Sequence, residues 1–484
     1  MQEVYLSPQE WAVAGVISAA IVARLLFRAI PSDLFFLAGA LLTSLFGIVT
    51  AKQLWQALIN EATVIVVSLY LITHALVATG LMQRICSWLV PKEQSGVLGK
   101  LYFFLGSSLL SVFFRARIPL LCLYRPFFRK AKEHHFPVSF FYYLAQFLII
   151  AGACSAAGSL LNILLNGIFA HFNQQIHIPF FGFALIGLPC LIIAFAFRLI
   201  LAHKSGQDNE QFLQEHFDGV IPMDSAFIGR KVSMLKKHYP QMYVYRGLQP
   251  LPDEFVIHKG DLLRQAFPAE TGNSSEVAWF FRPSPNPFSK KDRLVLGIVS
   301  TMFLLAIYGL PLAFVASGAA ALLIALRLFP WRGAFAQFPW HSLILIVSGL
   351  IFLTALENSS LALDVAQALS FLKELPLSVI FSSFFLLSCF LAQLFPSILV
   401  LCWVFPIGIH FLALTANNTP HGQQLLGMAV AFGATFCFTA PYSQAATSIA
   451  APFYDLRQKC NVQGNLFLTL VLFLAVVVLF TFLT

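Results

Sequence analysis

The chain of 484 residues is 58% hydrophobic, has a mean hydropathy of +0.79 and carries only 11% charged residues, with a net charge of +9. That balance excludes a soluble globular protein and points to a polytopic membrane protein. Eight cysteines are scattered through apolar stretches, with no CxxC pair and no zinc-like spacing, so neither a disulfide frame nor a metal site is expected.

The N-terminal "MQEVYLSPQEWAVAGV" lacks the basic n-region and small-residue cleavage site of a signal peptide, so the first apolar stretch is expected to persist as a helix. Apolar stretches then run over 11–30, 32–49, 62–82, 101–126, 136–170 and 179–202. After a break they resume over 294–310, 311–326, 340–356, 376–414, 424–452 and 463–484. Between the two sets of six lies 203–293, which has a normal density of charge and several prolines and reads as a soluble insert. Four stretches exceed the roughly 20 residues of one span. Those at 101–126 and 376–414 are expected to be re-entrant hairpins, and those at 136–170 and 424–452 to be helices broken by small and polar residues.

Charge placement orients this layout. With the N-terminus outside and the first hairpin entering and leaving on the cytoplasmic side, the outside collects only Lys52 and Lys373 of 30 basic residues, and Arg115 and Arg117 fall inside the apolar run. All others, including those of the insert, fall inside the cell, as the positive-inside rule requires. The two halves then have opposite orientation, the inverted repeat of many secondary transporters.

In that architecture small and polar residues belong at hairpin tips and helix breaks, where irregular backbone lines a protein-enclosed site. The first is "SVFFRARIPLLCLYRP", 111–126. The second is "AGACSAAGSLLN", 151–162, with Gly152, Ser155, Gly158, Ser159 and Asn162. The third is "AQLFPSILV", 392–400, with Pro396 and Ser397. The fourth is "FTAPYSQAATSIAAP", 438–452, with Pro441, Ser443, Gln444, Thr447 and Ser448. Small residues can equally be helix packing surfaces. Arg115 and Arg117 can equally be a helix end snorkelling to headgroups. Arg117, however, lies eight residues before Arg125, about 12 Å of helix, which sets it inside the hydrocarbon as a candidate for pairing with a carboxylate or sulfate-like group. Glu357 and Asp364 fall near a membrane end and are expected as outer-surface residues on an interfacial helix, with a proton-coupling carboxylate as the alternative. No triad, paired carboxylates or phosphate loop stands out, so no catalytic residue is expected.

The succession "LWQALINEATVIVVSLYLITHALVATGLMQRICSWL", "PLLCLYRP", "AGACSAAGSLLN", "FPSILVLCWVFPI" and "TAPYSQAAT" resembles the divalent anion:sodium symporters of the ion transporter superfamily, which are citrate-transporter-like, over nearly the whole chain. In that family each hairpin tip carries a Ser/Asn-Asn-Thr signature nine residues ahead of a proline. Those places are held here by Ala116, Arg117 and Ile118 ahead of Pro126, and by Pro396, Ser397 and Ile398 ahead of Pro406. The Gly-Thr-x-x-Asn-like element survives as Gly158, Ser159 and Asn162, and its partner keeps Pro441 with Ser443, Gln444 and Thr447. The resemblance implies substrate contacts at Arg115, Arg117, Gly158, Ser159, Asn162, Ser397, Ser443, Gln444 and Thr447, and ion contacts at Gly152, Ser155, Pro396 and Pro441. Ile118 cannot coordinate a cation and Arg117 would repel one, so an arginine in place of sodium is the alternative to sodium coupling.

Within the insert, "DSAFIGRKVSMLKKHYPQMYVYRGLQPLPDEFVIHKGDLLRQAF", 224–267, is similar to the C-terminal regulatory domain of potassium-conductance regulators, with Gly229, Gly260 and Asp261 carrying the match. The fold expected is therefore an all-α polytopic membrane protein of two inverted repeats, 1–202 and 294–484, with re-entrant hairpins and broken helices, plus a small soluble α/β insert at 203–293. The functional expectation is an elevator-like secondary transporter, symporter or exchanger, of a small anion such as a dicarboxylate, citrate or sulfate. It would be a multi-pass inner-membrane homodimer with the insert cytoplasmic and both termini outside, with no cofactor, metal or nucleic acid and no enzymatic activity. The alternative is a membrane sensor or scaffold without transport, whose insert binds a ligand.

Overall fold

A computed structural model describes residues 7–26, 32–90, 97–134, 139–172, 176–202, 289–328, 338–415, 418–438, 445–450 and 459–484. Within 203–288 it describes 219–220, 227, 229–238, 242–246, 249–258, 261–265 and 278–279. The protein is an all-α polytopic membrane protein, as the composition requires. Four of the described helices are long and apolar enough to cross a membrane alone, over Ala51–Ala78, Trp340–Asn358, Leu377–Leu394 and Gln463–Leu483, and shorter apolar helices surround them.

The first half runs α1 (Pro8–Leu26), α2 (Ser32–Leu45), α3 (Ala51–Leu58), α4 (Glu61–Ala78), α5 (Leu81–Leu89), α6 (Val97–Phe113), α7 (Arg117–His134), α8 (Ser139–Gly152), α9 (Leu160–Phe172) and α10 (Ala184–Ala202). The insert holds β1 (Gly219–Val220), α11 (Val232–His238), β2 (Met242–Arg246), β3 (Gln249–Pro250), β4 (Leu262–Gln265) and β5 (Ala278–Trp279). The second half runs α12 (Lys290–Ile307), α13 (Leu312–Ala325), α14 (Trp340–Asn358), α15 (Leu361–Ala368), α16 (Leu377–Leu394), α17 (Ser397–Ala413), α18 (Pro420–Thr435), α19 (Ala445–Ala450) and α20 (Lys459–Leu483).

The two halves interlock. The second helix of each half packs on the third long helix of the other: α2 on α14, and α13 on α4. The broken helices are exchanged in the same way, α9 packing on α17 and α18 while α19 packs on α7 and α8. The last helices, α10 and α20, pack on each other. Both long stretches read as hairpins do turn at their middles. The chain leaves helix over Phe114–Ala116 and over Phe395–Pro396, and the second arm of each carries a proline nine residues on, Pro126 and Pro406.

Polar contacts sort the helix ends into two sets. Glu10 at the start of α1 bonds Asp364 of α15, and Gln53 of α3 bonds Asn358 at the end of α14 (3.3 Å). At the opposite ends, Asp33 at the start of α2 meets His341 at the start of α14 (3.4 Å), and Arg84 of α5 meets Asp292 at the start of α12 (3.3 Å). Asp364 lies on the short helix α15. Glu357 instead belongs to the last turn of α14.

The insert has its own core of Phe227, Val232, Leu235, Val244, Ile257 and Leu263. These residues back an antiparallel sheet in the order β3-β2-β4-β1-β5, with Val244 opposite Leu263. Gly229 takes a φ of +82°, which a side chain would strain, and its amide bonds Ile257 O at 2.9 Å. Asp261 is buried and accepts from the His258 amide (2.8 Å), closing the turn into β4.

Candidate functional site

The break between α8 and α9, residues 153–159, contains three alanines, which favour helix, so propensity alone does not cause it. Tertiary hydrogen bonds do. The Ala156 amide donates to Phe180 O (2.9 Å). The Ser155 hydroxyl donates to Val112 O in the last turn of α6 and accepts from the Gly158 amide (3.0 Å). The Asn162 amide, one turn into α9, donates both hydrogens backwards, to Ala153 O (2.9 Å) and Ser155 O (2.8 Å). Carbonyls freed by the break are thereby satisfied inside the protein, which a membrane interior demands.

The same break receives the hairpin. Ser111 donates to Leu148 O (2.5 Å), and a Cβ added to Gly158 would stand 2.5 Å from Ser111 O and 2.6 Å from Gly152 O. Only glycine permits that approach. The tip of the first hairpin is therefore seated on the first helix break, a few residues from where α7 and α9 begin. The start of α9 presents orphan N–H groups and a positive dipole end, whereas at the start of α7 the Ile118 amide donates to Arg115 O (3.0 Å) and Pro119 has no N–H.

At the tip itself Phe113 and Phe114 pack against Phe303 of α12, ring centroids 4.9 and 5.6 Å away, and Phe113 stacks on Phe180 at 6.2 Å. Arg115 follows them, and Arg117 opens α7. Both are partly buried, and Arg117 is close enough for its charge to act on Arg115. The Nη2 of Arg115 is buried and has no hydrogen-bond partner among the described residues. A buried guanidinium N–H facing no acceptor, next to a second cation, is an arrangement completed by an anion.

The second hairpin differs. Pro396 takes the N-cap position of α17 (φ −56°, ψ 130°) with no side-chain cap, and Leu399 N bonds its carbonyl at 2.9 Å. Its tip is plugged by aromatics: Trp403 lies against Phe395, Phe36 and Phe352 at 5.6, 6.1 and 6.3 Å. Ser397 supplies the hydroxyl at the first position of α17. A Cβ on Gly433 of α18 would fall 2.3 Å from Phe385 O, so this hairpin too is held by a glycine contact. Thr447 is buried in α19, while Pro441, Ser443 and Gln444 lie outside the described residues. The structure thus brings Arg115, Arg117, Gly152, Ser155, Gly158, Ser159 and Asn162 to one junction, and sets Pro396 and Ser397 at the other hairpin.

Two polar features are not apparent from the sequence. Arg198 of α10 is 3% exposed, and its Nη2 donates to Gln146 Oε1 of α8 (2.6 Å) and Asn465 Oδ1 of α20 (2.7 Å). Its guanidinium lies 4.5 Å over Tyr143. Asn465 bonds Gln146 (3.1 Å) and Tyr142 OH (3.2 Å) in turn, so one arginine ties the last helices of both halves to the first broken helix. Charge counting treats Arg198 as a surface residue, and only the coincidence of Gln146 and Asn465 in apolar helices signals otherwise. The second feature is Glu357, whose Oε2 lies 3.0 Å from His410 Nε2 of α17.

A protein of Chlamydomonas reinhardtii named "Putative sulfur deprivation response regulator" is 21% identical over 165 residues, 34% of this chain. The chain spans 28% of the length of that curated relative. A family model described as "Citrate transporter" matches residues 21–435, through both halves and the insert. That match agrees with the citrate-transporter-like resemblance drawn from the hairpins and broken helices: the chain belongs to the citrate transporter family.

Proposed function

We propose that the protein is a secondary active transporter of a small, multiply charged carboxylate, with citrate first in line and dicarboxylates or sulfate as the alternatives. The observation that carries this reading is the buried, unpartnered Nη2 of Arg115 beside Arg117, at a hairpin tip seated on a helix break. Two guanidinium groups bind carboxylate or sulfate oxygens bidentately, and the start of α9 adds backbone donors on the same junction. Gly158, Ser159 and Asn162 line the junction, with Asn162 and Ser155 hydrogen-bonding the backbone that shapes it. Ser397, Ser443, Gln444 and Thr447 would supply the substrate contacts of the second half.

Arg117 stands where the superfamily places a sodium-site asparagine, so its charge replaces the ion's and transport runs as exchange or facilitated flux rather than sodium symport. Gly152, Ser155, Pro396 and Pro441 are then remnants of ion sites. The interlocked pairs α2–α14 and α4–α13 form a frame, and hairpins with broken helices move against it in an elevator-like step. The transporter would be a homodimer in the inner membrane, with residues 203–293 cytoplasmic as a regulatory domain between repeats 1–202 and 294–484 and both termini outside. Purified protein in liposomes should accumulate labelled citrate, and sodium should not stabilise it in thermal-shift assays with citrate, dicarboxylates or sulfate. Sodium-dependent stabilisation would contradict the replaced ion sites.

A second reading is favoured by two observations. The Chlamydomonas relative is named a regulator, and the insert has a separate core. A chain that senses an anion without moving it would bind citrate and show no flux under any gradient.

A further inference from the structure

Helix α14 carries a histidine–carboxylate contact at each end. At its start His341 Nδ1 lies 3.4 Å from Asp33 Oδ2 of α2, inside one interlocked helix pair. At its end Glu357 Oε2 lies 3.0 Å from His410 Nε2 of α17, the second arm of the second hairpin. Between α14 and α17 the contact is apolar: a Cβ on Gly349 would touch Cys402 Sγ at 2.8 Å, and Phe352 meets Trp403. Apolar surfaces have little directional preference, so a polar pair at the end of such an interface has leverage over its register.

Glu357 is also within electrostatic reach of His171, in the last turn of α9. The carboxylate meets the imidazole of the hairpin arm, and its Oε1 is buried with no hydrogen-bond partner among the described residues. The side chains of Glu357 and His410 are 23% and 29% exposed, enough for protons to reach them from water. Other titratable or charged groups stand on the elements packed against these helices. Lys52 lies on α3, Glu10 and Asp364 bond each other between α1 and α15, and Glu61 at the start of α4 lies near His177. His74 stacks on Tyr70 within α4, Asp33 is at the far end of α2, and His421 is in the first turn of α18.

We propose that Glu357 and His410 form a proton-binding site that latches the second hairpin to α14. A carboxylate can only accept, so His410 presents its Nε2–H to Glu357. A proton from water then adds at Nδ1, turning a neutral hydrogen bond into an imidazolium–carboxylate pair with no bond broken elsewhere. Protonation strengthens the latch and deprotonation loosens it. The purpose of the latch rests on the transporter reading, but its existence does not.

Spin labels at the exposed Trp55 of α3 and Leu414 after α17 report the separation of frame and hairpin. At pH 5.5 a single short distance is expected, and at pH 8 the longer-distance fraction should rise roughly threefold, the scale of a partly exposed ion pair. Glu357→Gln and His410→Gln should each remove that pH response, whereas His341→Gln at the other end of α14 should leave it intact. Identical distance distributions at both pH values, or a response that survives in both Glu357→Gln and His410→Gln, would overturn the proposal. Absent citrate flux with the distance response intact would count against the transporter reading and not against the latch.

Discussion

The α-carbon of Gly158 lies so close to the Ser111 carbonyl that a methyl group on it would stand 2.5 Å from that oxygen. This contact joins the first hairpin to the first helix break, and its opposing atoms are backbone, which cannot rotate away. Gly158→Ala should therefore force the hairpin off its seat at a cost of about 1–3 kcal/mol, lowering the thermal transition and removing citrate uptake. Gly318→Ala, where a Cβ meets nothing within 4 Å, is the control that should leave both unchanged.

Asn162 links helix continuation to helix break through two donated hydrogens. Asn162→Asp keeps the shape and loses both donors, leaving two carbonyls unpaired in a dry interior. A destabilisation of about 2–3 kcal/mol is expected, visible in detergent-solubilised protein as an earlier melting transition. A variant that melts with wild type would show that the carbonyls find other partners.

Those two residues also show how far the sequence can be read. The proline nine residues into each hairpin arm and the small-residue run at 151–159 are local signals, and Pro126, Pro406 and the break stand where they indicate. Apolar stretches too long for one span forced the hairpins in the same way. The short helices α3 and α5 were merged with their neighbours or left out, because an eight- or nine-residue amphipathic segment at a membrane end leaves no long apolar run. The contacts of Arg198 and Glu357 are not legible for a deeper reason: their partners, Asn465 and His410, come from helices 267 and 53 residues away, a relation that no local pattern encodes. The two amide hydrogens of Asn162 go to the backbone, a detail residue type cannot give because it does not say which way a side chain turns.

Arg198 holds three helices through neutral partners. Arg198→Gln removes the donor to Gln146 Oε1 and should cost about 2 kcal/mol. Its effect should be non-additive with Asn465→Ala in a double-mutant cycle, with an interaction of 0.5 kcal/mol or more by roughly the usual scale for contacting residues. Additive losses would place the two residues in separate structures.

At the tip, charge and geometry make different demands. Arg115→Lys retains the positive charge and loses the planar fork, so it should weaken citrate binding about tenfold while leaving stability unchanged. Equal affinity in the lysine variant would mean that Arg115 acts only as a point charge.

Uptake of labelled citrate into proteoliposomes by wild type, Arg115→Gln and Arg117→Ala, alongside equilibrium binding of the same label to the purified proteins, tests the tip arginines most directly. Loss of uptake in both variants is expected, with binding weakened about tenfold or more, the scale of a charge-assisted hydrogen bond. Uptake and binding unchanged in both would contradict an anion site at the tip of the first hairpin.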